Sequence, residues 1–210
     1  MFKDFQAQLD AEFNYKPLDD GSNRQELFYS SYLSIIGYPK ELSYQDIVPL
    51  ADSFVQVDAF CRETPEPYEL PSELNVQPED KLIYVSMGSM GSVDYNLNLR
   101  ITSALAKTQY KCIVSKGMFA DEYDLPDNCW GQAFLPQTKI LPLVELVITH
   151  GGNNTVTESF SFGKPMIVLP LFGDQYDNAQ RVQEKGFGVR LEPYGFEEQE
   201  LIDAVERLIN

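Results

Sequence analysis

Basic residues are scarce in this chain. Sixteen Lys and Arg stand against 32 Asp and Glu in 210 residues, a formal charge of −16. Such an acid excess disfavours nucleic acid and anionic membrane surfaces, which both recruit a basic face. Cysteine is sparse too. Cys61, Cys112 and Cys129 are odd in number and widely spaced, and no C-x-x-C pair occurs. That rules out a disulfide framework and gives no sign of zinc or another metal site. It also fits a reducing compartment. Residues 1–15 lack the apolar core of a signal peptide, and no run approaches the ~20 apolar residues of a bilayer span. Cytoplasmic location and no membrane segment are the expectations. Repeats and low-complexity tracts are missing, and histidine occurs once, at His150.

What is present is a globular composition. Hydrophobic residues make up 43%, with 12 Tyr and 13 Phe, which excludes a disordered tail, a collagen-like fibre or a coiled coil. A chain of this length buries enough surface to fold without staples.

Charge and composition divide the chain. Residues 1–80 hold 16 acids against 5 bases, whereas residues 137–190 hold five of each. That neutral stretch is where an anionic ligand is least repelled. Residues 1–14 predict a helix, Leu27–Leu33 and Ser53–Phe60 short strands, and the acidic stretch 61–80, with four prolines, an extended linker. From residue 81 strands and helices alternate. The expected strands are Leu82–Met87, Cys112–Ser115, Trp130–Phe134, Leu146–Thr149, Met166–Pro170 and Gly188–Leu191; the helices are 94–107, 138–144, 154–162, 176–185 and Glu197–Ile209. This predicts an α/β fold, a Rossmann-like parallel sheet with helices on both faces.

Leu146–Glu158 carries the clearest chemistry. A buried strand ends at His150-Gly151-Gly152 and a helix follows. Such a junction offers glycines for close approach and a helix N-terminus for phosphate. Asn154 and Glu158 share a helix face. Asp174-Gln175 follows a later strand, at the same carboxyl edge where open α/β sheets bind ligands. Amides and carboxylates there suit ribose or sugar hydroxyls. Each element has a plainer reading. Thr155-x-x-Glu158 fits a capping box, the glycines a tight turn, His150 a structural role, and Asp174-Gln175 a solvated loop. Gly88-Ser89-Met90-Gly91 is G-x-x-G, a weak sign of a second phosphate-facing loop and not the dinucleotide fingerprint.

Residues 134–182, from Phe134 to Val182, resemble the donor signature of the UDP-glycosyltransferases, inverting enzymes of the GT-B fold. The matching positions are Pro136-Gln137, Thr149-His150-Gly151-Gly152, Asn154-Thr155, Glu158, Gly163-Lys164-Pro165 and Asp174-Gln175. The resemblance implies a chain divided into the tail of an N-terminal acceptor domain (1–60), a linker (61–80) and a C-terminal donor domain (81–210). It also implies hexosyl transfer from a UDP-sugar, itself the donor substrate with no separate cofactor, to a hydroxyl of a small lipophilic acceptor. Phe134 takes the place of a base-stacking Trp. Gln137 lies near base or ribose, and Glu158 at the ribose hydroxyls. His150, Asn154 and Thr155, with Gly151 and Gly152, hold the diphosphate. Asp174 and Gln175 hold the sugar, and Ser89 approaches diphosphate or sugar.

The family's acceptor-activating histidine has no counterpart here, since His150 already belongs to the donor signature. The expectation is therefore a partial chain, cut short at Asn210, that binds donor without turnover; no catalytic residue is assigned. A non-catalytic nucleotide-sugar-binding or interaction module is the alternative, and a nucleotide-sugar epimerase a third. Asn153-Asn154-Thr155 forms a glycosylation sequon. Animal relatives of the endoplasmic reticulum make that compartment the alternative location for a full-length form.

Overall fold

The structure, a computed structural model, describes residues 32–58, 60–65 and 67–210. The expected helix at 1–14 lies outside the described residues, as does the expected strand Leu27–Leu33 except for its last two positions. A compact unit spans Ile35–Asn210.

Two short strands, β1 (Ser34–Ile36) and β2 (Phe54–Gln56), form a small sheet. The main sheet has six strands: β3 (Leu82–Ser86), β4 (Lys111–Ser115), β5 (Cys129–Gln132), β6 (Leu146–Thr149), β7 (Met166–Val168) and β8 (Gly188–Arg190). They lie in the order β5-β4-β3-β6-β7-β8, every neighbouring pair parallel. Counted from β3 this is the doubly wound order 3-2-1-4-5-6, which reverses direction between β3 and β6. The helices are α1 (Gly88–Gly91), α2 (Tyr95–Leu105), α3 (Gln137–Ile140), α4 (Asn153–Ser161), α5 (Gln175–Glu184) and α6 (Glu198–Ile209).

The alternation along β3 separates two cores. Ile83 and Val85 pack with Leu97, Ile101 and Leu105 of α2 and Leu201 and Val205 of α6. Leu82 and Tyr84 face the other way, toward Val156 of α4 and Ala179 and Val182 of α5. All five β3 residues are buried. A continuous apolar run is what a central strand covered on both faces requires. Helix starts are capped locally: Asp94 accepts from the Leu97 N–H at 3.1 Å, and Glu197 with Glu200 forms a capping box at α6.

The expected elements of residues 81–210 are present with ends shifted by a few residues, and two regions differ in kind. Gly88–Gly91, read as a loop, is a helical turn. Residues 61–80, read as an extended linker, pack against the sheet: Leu74 is buried in a 3-10 turn at Ser72–Leu74, and Tyr68, Leu70 and Val76 rest on the α4/α5 core. The segment before it is tied down as well. The Arg181 guanidinium of α5 donates to the Ser43 carbonyl at 2.6 Å and to Asp46 at 2.5 Å, and lies 4.4 Å from the Tyr44 ring centroid. Apolar residues scattered among prolines and acids carry no periodic signal, so only tertiary contact reveals that they are buried.

Candidate functional site at the switch point

β3 and β6 are neighbours with Ser86 opposite Thr149, so the loops after them leave the same edge at the point where strand order reverses. The loop after β6 begins with His150, which is 9% exposed. Its ring fits a slot between two glycines. A Cβ on Gly88 would lie 2.5 Å from His150 Cε1, and one on Gly152 2.4 Å from Nε2. Gly88 also has φ of +69°, which L side chains rarely adopt. The space that a Gly152 side chain would fill thus holds the imidazole. Gly151, at φ +87°, lies against Val168 and the Gln175 backbone. Burial pushes the His150 pKa below its ordinary value; a hydrogen bond with the Ser86 backbone and the charge of Asp174 oppose that shift. A neutral ring keeps one N–H donor and one acceptor.

α4 starts at Asn153 with Gly152 as its N-cap, and among the described residues no side chain caps it. Its first turn holds no acidic residue, and its positive end faces the junction. Thr155 lies inside the first turn, so the Thr155–Glu158 capping box is absent. Glu158 is 1% exposed and turns to other partners. Gln137 Nε2 donates to Glu158 Oε2 at 2.5 Å. Arg62 donates through Nε to Oε1 at 2.9 Å and through Nη2 to Oε2 at 3.3 Å. The Thr155 hydroxyl donates to Gln137 Oε1 at 3.4 Å. Gln137, Thr155 and Glu158 thus form one buried polar group, and Phe134, 69% exposed, stands in the loop leading into α3.

Across the junction, Asp174 and Gln175 open α5. Asn178 Nδ2 donates to the Gly151 carbonyl at 2.8 Å and to Asp174 Oδ2 at 3.3 Å, tying the β6 and β7 loops together. Gln175 is buried, and its Oε1 accepts from the Leu171 and Phe172 N–H groups at 2.9 and 3.1 Å. Only its amide NH₂ remains for a ligand. Asp174, Asn154 and Ser89 are exposed.

The structure therefore gathers the expected residues at one carboxyl edge: Ser89 after β3, Phe134 and Gln137 after β5, His150–Glu158 after β6, Asp174 and Gln175 after β7. Sequence reasoning missed Asn178 and Arg62. Asn178 carries a faint signal, being one helical turn beyond Asp174. Arg62 is the only base in residues 41–80, among ten acids.

Comparison with known proteins agrees with this arrangement. The family described as UDP-glucoronosyl and UDP-glucosyl transferase matches residues 9–210. Human UDP-glucuronosyltransferase 1A7 is 34% identical over 149 residues, covering 70% of this chain and 28% of the relative. The glycotransferase of kitacinnamycin superposes with a TM-score of 0.78 at 22% identity, covering 100% of this chain and 53% of that one. Glycosyltransferase VinC, solved in complex with dTDP, gives 0.66 at 21% identity, covering 99% and 54%. The chain thus spans under a third of its human relative and about half of these structures, and its fold is that of one half of a GT-B glycosyltransferase. By sequence match and by architecture, this chain belongs to the UDP-glycosyltransferase family.

Proposed function

We propose that residues 81–210 are the donor-binding domain of a hexosyltransferase and that the chain binds a UDP-sugar across the β3/β6 switch point. The observation that carries this reading is the Gln137–Glu158 pair, buried beside an uncapped helix N-terminus. Glu158 accepts the ribose hydroxyls, with Gln137 between it and the base. Phe134 offers its exposed face for stacking, worth roughly 1–3 kcal/mol per base. The diphosphate lies at the start of α4, beside Asn154, Thr155 and the His150 slot. A dipole contributes only ~0.3–2 kcal/mol, so converging hydrogen bonds supply most of the affinity. Asp174 and the Gln175 amide lie where the sugar follows, with Ser89 opposite.

Transfer needs a base that takes the acceptor proton as the hydroxyl attacks the anomeric carbon and UDP departs. The single histidine is buried at the diphosphate end with a lowered pKa, so it is not free for that task. The 210-residue chain therefore binds donor and transfers little on its own. The acceptor, a small lipophilic alcohol or phenol, is held mainly by other parts of the enzyme; residues 1–60 and 61–80 are the acceptor-domain tail and the interdomain segment. Titration calorimetry with UDP, UDP-glucose, UDP-glucuronate, dTDP and ADP tests the reading. Uridine diphosphates bind and ADP does not if it is right; equal binding of all, or of none, contradicts it.

A further inference from the structure

Arg62 lies outside every element assigned to donor binding, yet its guanidinium holds both oxygens of Glu158. Three acids follow it within seven residues, at 63, 66 and 69, and the contact spans 96 positions. Its neighbours are fastened to the same two helices. The Cys61 thiol donates to the Ser161 hydroxyl at 3.1 Å, and the Thr64 and Thr138 hydroxyls are 2.8 Å apart. Residues 61–64 thus cross from α4 to α3 with Arg62 in the middle. The side chain of Glu158 is 2% exposed beneath it, that of Arg62 64% exposed.

Counting acceptor positions shows the consequence. A carboxylate offers about four. Arg62 fills two and Gln137 a third, leaving one, whereas a ribose diol brings two donors. Both hydroxyls reach Glu158 only if Arg62 lets go. Release is offset only as the ribose hydroxyls take the guanidinium's place, because Glu158 is buried and a buried carboxylate left unpaired is costly, whereas Arg62 returns to solvent.

We propose that Arg62 pins the ribose end of the donor site: it occupies Glu158 in the empty protein, and a nucleoside with free 2′ and 3′ hydroxyls must displace it. This rests on Glu158 being the ribose acceptor, and it makes Arg62 a residue that sets nucleotide affinity from the segment before the donor domain. If the pin is closed roughly 70–90% of the time, apparent affinity is about three- to tenfold below that of the open site.

Uridine tests this, because it is neutral and salt acts on the pin rather than on the ligand. In titrations of the full chain, Arg62→Ala tightens uridine about three- to tenfold. Wild-type affinity for uridine rises as salt screens the pair, while the variant stays flat. In the Arg62→Ala background, Glu158→Gln then lowers affinity. Unchanged or weaker uridine binding by Arg62→Ala, with loss in Glu158→Gln, overturns the pin and leaves the ribose role of Glu158 standing. Affinity that survives Glu158→Gln in the Arg62→Ala background overturns both.

Discussion

Gln137 and Glu158 are 21 residues apart in sequence and 2.5 Å apart in space, both buried, one opening α3 and the other in the second turn of α4. The amide that donates to the carboxylate also accepts from Thr155, so a change at either residue reaches the start of α4. Gln137→Ala weakens UDP binding by about 1–2 kcal/mol, and Glu158→Ala by roughly 1.5–3, the range for hydrogen bonds to charged groups. In a double-mutant cycle the losses fall short of additivity by at least about 0.5 kcal/mol. Strict additivity in calorimetric titrations would mean the two contact the ligand independently.

The slot around His150 is set by two missing side chains. Gly88→Ala and Gly152→Ala each drive a methyl group into the ring, and Gly88→Ala adds the strain of a positive φ, of order 1 kcal/mol. UDP affinity falls about tenfold or more in both. Gly186→Ala, at φ +77° with open space around it, carries the backbone strain alone and leaves affinity unchanged. Melting curves alongside titrations separate the two effects; equal affinity loss in all three variants would remove His150 from the site.

Protonation offers a second test of that residue. The folded pKa of His150 is lowered, so as pH falls below about 6.5 the unfolded chain takes up the proton first. This group costs no stability above that pH and destabilises the fold progressively between there and the depressed folded value. His150→Asn removes that share of the acid sensitivity. A bound diphosphate favours the charged ring, so UDP-glucose affinity rises as pH falls through the same window, and the rise disappears in His150→Asn. Calorimetry at pH 7 and 5.5 reads it directly.

At the sugar end the two neighbours part company. Asp174 is exposed, and Asp174→Ala lowers affinity for UDP-glucose while leaving UDP unchanged. Gln175 supports its own loop, and Gln175→Ala strands two backbone N–H groups, costing about 1–3 kcal/mol for each left unsatisfied. Its melting temperature therefore drops as well. A Gln175→Ala variant with an unchanged melting point but lost sugar preference would show that the loop contact is dispensable.

Much of this was legible in the sequence because it is local. Runs such as Leu146–Thr149 announce buried strands, and His150-Gly151-Gly152 marks the turn into α4. The spacing of Asp174 from that junction places both at one sheet edge once the strands are known to be parallel. The capping-box alternative at Thr155 and Glu158 falls because the helix starts two residues before Thr155, at Asn153, and Glu158 is held by residues distant in sequence. That His150 folds back to fill the space beside Gly152 was not legible, because spacing does not show where a neighbouring ring turns. Arg62, Leu74 and Arg181 gave no warning: each is defined by a contact with a partner far along the chain, and neither periodicity nor turn chemistry encodes that.

The central claim is that Glu158, beside an uncapped helix start, seats the ribose of a uridine diphosphate sugar. The most direct measurement is titration of UDP-glucose into the wild-type chain and into Glu158→Ala. The account predicts saturable one-to-one binding to the first and a loss of about tenfold or more in the second. Equal affinity in both proteins, or no binding to the wild type, would contradict it.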